Sequence, residues 1–154
     1  MTLSSAISAE PHHDRGVRAL RFEETRAATE KLVERLSPED QTIQSMPDAS
    51  PTKWHLAHTS WFFETFLLEP HLGGYQVFDP AFRTLFNSYY ETVGRPFPRA
   101  QRGLISRPGV AEVAEYRRTV TEATAELIWS ADEKDWTAIA ALVELGIQIG
   151  RAHV

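Results

Sequence analysis

The run Pro51-Thr52-Lys53-Trp54-His55-Leu56-Ala57-His58-Thr59-Ser60-Trp61-Phe62-Phe63-Glu64-Thr65-Phe66-Leu67-Leu68 decides how this chain is read. Ser50 can cap a helix, and Pro51 suits the first helical position, where a missing N–H costs nothing. Nothing breaks the helix before Pro70 and Gly73-Gly74. His55, His58 and Phe62 stand at i, i+3 and i+7 and share a face, which Trp61 and Phe62 continue from His58. Much of the circumference is apolar, so the run predicts a core helix from about Pro51 to Glu69 carrying imidazole inward. A buried imidazole must be satisfied, either by a hydrogen-bond partner or by a metal.

Outward from that helix the pattern stays helical. Val17, Leu20, Ala27, Ala28, Leu32 and Leu36 fall near helical spacing, with Glu23, Glu24, Glu30, Lys31, Glu34 and Arg35 covering the other side. That predicts a first amphipathic helix from Val17 to Leu36, stopped by Ser37-Pro38, after a disordered start over residues 1–16. Pro11-His12-His13 in that start reads as solvated rather than metal-binding. Residues 37–50 hold too few apolar positions for a helix and form a long connector of the kind that is often functional.

Asp79-Pro80 opens a third helix from Ala81 to about Val93, with Phe82, Leu85, Phe86, Tyr89 and Tyr90 on one face. Residues 94–109 form a loop rich in proline and arginine. Its Arg95, Arg99, Arg102 and Arg107 are either a solvated balance to an acidic chain or an anion clamp, since guanidinium forks grip carboxylates and phosphates. A fourth helix spans Val110 to about Trp129, with Val110, Val113, Ala114, Val120, Leu127 and Ile128 inward. A fifth runs from Trp136 to about Gly146 and carries Ile139, Leu142, Val143 and Leu145. There are no alternating strand runs, and the prediction is an all-α antiparallel four-helix bundle with long connections.

Composition narrows the function. The 154 residues suffice for one domain with a real core. A net charge of −5 without a basic run argues against nucleic acid as a partner. The absence of cysteine removes disulfides, thiolate nucleophiles and cysteine-based zinc sites. Without a signal-like start or an apolar run of roughly 20 residues, the expectation is a cytoplasmic protein with no membrane partner.

Three stretches then add what periodicity cannot. Residues 44–59, from Gln44-Ser45-Met46-Pro47-Asp48 to Leu56-Ala57-His58-Thr59, resemble the amino-terminal, DinB-like domain of the ergothioneine-biosynthesis enzymes EgtB. So do Phe86-Asn87-Ser88-Tyr89-Tyr90-Glu91 and residues 98–108, Pro98-Arg99-Ala100-Gln101-Arg102-Gly103 through Arg107-Pro108. The resemblance covers about Arg18 to Gln148. It implies a mononuclear non-haem iron(II) oxygenase that joins the sulfur of cysteine or γ-glutamylcysteine to the imidazole of hercynine with dioxygen, leaving a sulfoxide. In that family iron sits on three histidines. The one on the Leu-Ala-His helix corresponds to His58, while His55 fills a position that need not be histidine. Neutral imidazoles suit iron(II) and leave open positions for dioxygen and thiolate. Arg99 and Arg102 match the family's grip on the carboxylates of the sulfur donor.

The family's other two histidines come from a His-x-x-x-His segment after Glu144-Leu145-Gly146-Ile147-Gln148. Here Ile149-Gly150-Arg151-Ala152-His153-Val154 follows instead. With a stop, that hexapeptide is the in-frame translation of ATCGGAAGAGCACACGTCTGA, a run in a widely used sequencing adapter. Residues 149–154 therefore read as a non-native tail on a bundle spanning 17–148 whose last helix is incomplete. A natural frameshift or degenerate paralogue is the alternative. His153, near a frayed end and without a partner four residues away, is not expected to replace a ligand. On this reading the fragment itself is inactive and binds no iron. Two other readings are a stand-alone DinB-like thiol transferase and a metal-free helical interaction module.

Overall fold

The computed structural model describes residues 4–153, with side chains from residue 12 onward. Four long helices dominate it: α1 (Ser4–Val33), α3 (Thr52–Phe63), α6 (Val110–Ser130) and α7 (Glu133–Ala152). α1 and α3 each pack against both α6 and α7. Short helices α2 (Pro38–Thr42), α4 (Glu69–His71) and α5 (Phe82–Leu85) lie in the connections. No strand occurs among the described residues, so the chain is an all-α bundle as its periodicity requires. No helix among them is long and apolar enough to cross a membrane.

α1 departs from its sequence pattern in two ways. Residues 1–16 are expected to be disordered, yet the helix begins at Ser4, and residues 1–3 lie outside the described residues. By Asp14 and Arg15 it is tied to the bundle. Arg15 donates to Ile128 O at 2.7 Å and Ala131 O at 2.6 Å, and lies over the Trp136 ring at 4.4 Å. A cation at carbonyls left unpaired by the end of α6 satisfies them and complements the helix dipole. Further along, the inward face is Arg15, Ala19, Phe22, Arg26 and Thr29, whereas Val17, Leu20, Leu32 and Leu36 are exposed. The helix is turned because its arginines have partners inside. Arg26 donates to Ser60 Oγ at 2.6 Å and Thr121 Oγ1 at 3.0 Å. On the same flank Arg21 grips Glu144 bidentately at 2.6 and 2.9 Å.

The connector contains a helix after all. Ser37 and Asp40 form a reciprocal capping box, which stabilises the one turn of α2 despite its few apolar residues. α3 continues through a π-helical turn, Glu64–Leu68, into α4, so the rod passes Pro70 instead of stopping before it. That turn aims the buried Glu64 at three donors: Tyr75 Oη at 2.6 Å, Tyr116 Oη at 3.0 Å and Phe78 N at 3.1 Å. Burial nevertheless holds the Glu64 carboxyl above its ordinary range.

The third helix is the largest departure. Only Phe82–Leu85 is helical, rather than Ala81 to Val93. Asn87, fully buried, explains the stop. Its amide donates to Tyr90 O at 3.0 Å and Gly94 O at 3.2 Å, and its Oδ1 accepts from Tyr90 N at 2.9 Å. A short amide that bonds its own downstream backbone outcompetes helix continuation. Tyr89 consequently faces solvent, stacked on Tyr90 at 4.5 Å.

At its far end α7 passes Gly146 and continues to Ala152. Gly146 and Gly150 face inward there. A Cβ on Gly146 would lie 2.3 Å from Phe63 Cζ, so only glycine lets α7 meet that ring so closely.

Candidate functional site

The early end of α5 leaves its last carbonyls without helical partners. Three rings of α3 take them. Trp54 Nε1 donates to Leu85 O at 3.0 Å, and Trp61 Nε1 donates to Arg83 O at 3.2 Å. Between them, His58 Nδ1 lies 2.7 Å from Phe86 O. The spacing i, i+4, i+7 puts all three on one face. His58 is stacked between the indoles, at 4.6 Å and 12° from Trp54 and at 5.5 Å and 19° from Trp61.

This arrangement fixes the chemistry of His58. A carbonyl oxygen can only accept, so Nδ1 carries the proton and Nε2 holds the lone pair. Burial pushes the imidazole pKa down to about 3, against the Phe86 hydrogen bond, so the ring is neutral at physiological pH. No protein group hydrogen-bonds Nε2 among the described residues. A neutral imidazole oriented through a backbone carbonyl on its other nitrogen is the state a metal ion requires. His58 is thus a satisfied core histidine whose second ring nitrogen is left without a protein partner among the described residues.

A cavity of about 600 Å³ opens beside it, lined in part by Ser50, Trp54, His55, Tyr90, Arg99 and Arg102. Arg102 is buried, with its guanidinium 3.5 Å above the Trp54 ring and Nη1 donating to Ser50 Oγ at 2.9 Å. Its Nε is buried without a partner. Burial and then the charge of Arg99 lower the Arg102 pKa to about 10, so it stays charged. Among the described residues neither arginine pairs with a carboxylate. Arg102, Trp54, His58 and Trp61 form one continuous stack, with a cation at one end and the imidazole in the middle. Two like charges near one another without a carboxylate partner raise the positive potential on this side of the cavity.

The structure brings together His58, Arg99 and Arg102. It also brings His153, which has no histidine four residues away in sequence, to the same cavity. His153 Nδ1 is 2.7 Å from His55 Nδ1, and its ring lies 5.2 Å from that of His58. One of the two facing nitrogens must donate and the other accept. Burial lowers both pKa values, His55 to about 4, so both rings are neutral. No three His, Cys, Asp or Glu side chains among the described residues are grouped to hold a metal. Sequence reasoning missed Trp54 as the link between the two halves of the site. It also missed Asn87, whose turn frees the Phe86 carbonyl. The indole beside each histidine in the quoted run was the available signal.

Among known families, a model described as the DinB superfamily matches residues 21–142. That span contains all of α2 through α6 and the first half of α7. A search of curated proteins finds no match.

Proposed function

We propose, from the premise that this chain belongs to the DinB superfamily, that it is the amino-terminal part of a hercynine oxygenase of the EgtB type. Such an enzyme would use iron(II) and dioxygen to join a cysteine or γ-glutamylcysteine thiol to hercynine. DinB-like domains are metal-binding helical domains, and the fold therefore admits this reading without selecting it.

The observation that carries the proposal is the paired geometry around Trp54. The indole stacks on a neutral imidazole whose Nε2 is free and also carries a buried guanidinium whose Nε has no partner. A metal-binding nitrogen and a carboxylate-binding fork on one ring suit a substrate that carries both thiol and carboxylate. A thiol-transferase reading shares the imidazole but has no specific use for the arginine pair.

The donor set present does not complete an iron site. His58 is one oriented ligand, and the Nδ1 atoms of His55 and His153 are spent on each other. We therefore derive no step through iron in this chain, and the two further imidazoles of the proposed enzyme would come from beyond Gln148. Sequencing the uninterrupted genomic DNA past the Gln148 codon tests the proposal. It expects a His-x-x-x-His pair in place of Ile149–Val154. A genuine stop after Val154 would overturn it, and one tight iron(II) per chain in anaerobic calorimetry on the present protein would overturn the statement that these residues alone do not complete the site.

A further inference from the structure

Arg99 and Arg102 sit on a 3₁₀ segment, Arg99–Leu104, whose preceding Pro98 provides no side-chain cap. Such segments have poor hydrogen-bond geometry and do not hold side chains firmly by themselves. This one is held from outside. The Gln44 side-chain amide donates from Nε2 to Arg99 O at 2.8 Å, while its Oε1 accepts from Gly103 N at 2.7 Å. Residues 99 and 103 stand at i and i+4, the pair that would bond directly in an α-helical turn. The Gln44 amide replaces that bond by inserting between its two halves, so the turn is held open with both groups satisfied.

Two features show that the insertion is specific. Gly103 meets Gln44 so closely that a Cβ would lie 2.7 Å from Gln44 Cβ and 3.0 Å from Oε1. The far end of the segment is tied separately, by Lys53 Nζ donating to Ile105 O at 2.8 Å. Between these ties, Arg102 reaches back over Trp54 and Ser50.

We propose that Gln44 is a positioning residue: its amide clip sets the turn that presents Arg99 and Arg102 to a carboxylate-bearing ligand. The inference rests on reading those arginines as the anion-binding half of the site. Gln44 touches no ligand itself. Its removal would loosen the Arg99 end of the segment while Lys53 holds the other.

The test uses the whole chain, ¹⁵N-labelled, with Gln44→Met and Gly103→Ala as independent ways of opening the clip. The readouts are the Arg102 Nε–H and Trp54 indole resonances, thermal melting, and titration with γ-glutamylcysteine under reducing conditions. In both variants the Arg102 and Trp54 signals should move, and binding should weaken at least fivefold. The His58-side contacts of Trp61 should stay in place and melting should remain cooperative. Unmoved Arg102 signals, or undiminished binding, would overturn the clip. If the wild-type chain fails to bind γ-glutamylcysteine while the variant signals still move, the clip stands as a device that sets Arg102. In that case it is the substrate reading of the arginines that falls.

Discussion

Replacing Gly146 and Gly16 by alanine, one at a time, makes the same chemical change within two long helices and should have opposite effects. In an exposed helix, glycine to alanine stabilises by about 1 kcal/mol, because alanine loses less backbone freedom on folding. At Gly16 the new methyl meets only Trp129 Cη2, at an ordinary 3.8 Å, so most of that gain should survive. At Gly146 it would stand 2.3 Å from Phe63 Cζ and 2.4 Å from Cε1. The ring would have to move by about 1.2–1.7 Å to reach ordinary contact distance. Phe63 is buried, with Phe22 edge-on at 5.0 Å and Phe62 at 5.8 Å, so there is no free space for it. Overpacking of that kind costs about 1–3 kcal/mol, and a displacement this large belongs near the upper end. Against the propensity gain, a net loss of about 2 kcal/mol remains. In a domain of this size that lowers Tm by about 4–8 °C, while Gly16→Ala raises it by a few degrees. Thermal melts followed by circular dichroism at fixed protein concentration read both. If the two variants shift in the same direction, the close packing of α7 on Phe63 is not as described.

Asn87→Ala should cost about 1–2 kcal/mol, because it removes the side-chain partner of the half-buried Tyr90 N–H and of the Gly94 carbonyl, while the Tyr90 carbonyl keeps its bond from Val93 N. Urea denaturation measures the loss, and a shifted His58 Nδ1–H resonance would show that the Phe86 carbonyl has moved with it. Arg15→Met should cost about 1–3 kcal/mol through the unpaired end of α6 and the Trp136 contact. The exposed Arg118→Ala should stay within about 0.5 kcal/mol, and equal losses for the two would contradict this account. Glu64 supplies a pH signature. Burial raises its folded pKa above the ordinary 4.5, so its contribution is fully present below that value and is lost as pH rises through the folded one. The Tm of wild type minus that of Glu64→Gln should therefore fall as pH rises above 4.5, and a difference that grows with pH would refute the assignment.

How much of the site was legible depended on how local its causes were. That His58 points inward could be read because it shares a helix face with Trp61 and Phe62, and periodicity reports faces. Which nitrogen of His58 stays free could not be read. That depends on Phe86 O, which is available only because Asn87 folds back on the loop after it. Arg99 and Arg102 were legible as residues in a basic loop, but their convergence over Trp54 depends on Gln44 and Lys53 from two other segments.

The sequence by itself determined that the chain is all helical, and it located much of the core of α3, α6 and α7, although Ala114 and Leu145, placed on apolar faces by their spacing, are exposed. Apolar spacing at 3.6 residues per turn leaves no other regular structure able to bury those side chains. Only the tertiary structure decided which face of α1 turns inward. Arg15 and Arg26 are polar by composition, yet they are the better core residues, because the carbonyls at the end of α6 and the hydroxyls of Ser60 and Thr121 meet them there. A buried charge is favourable only when its partners are in place, and partners contributed by distant helices leave no trace in local spacing.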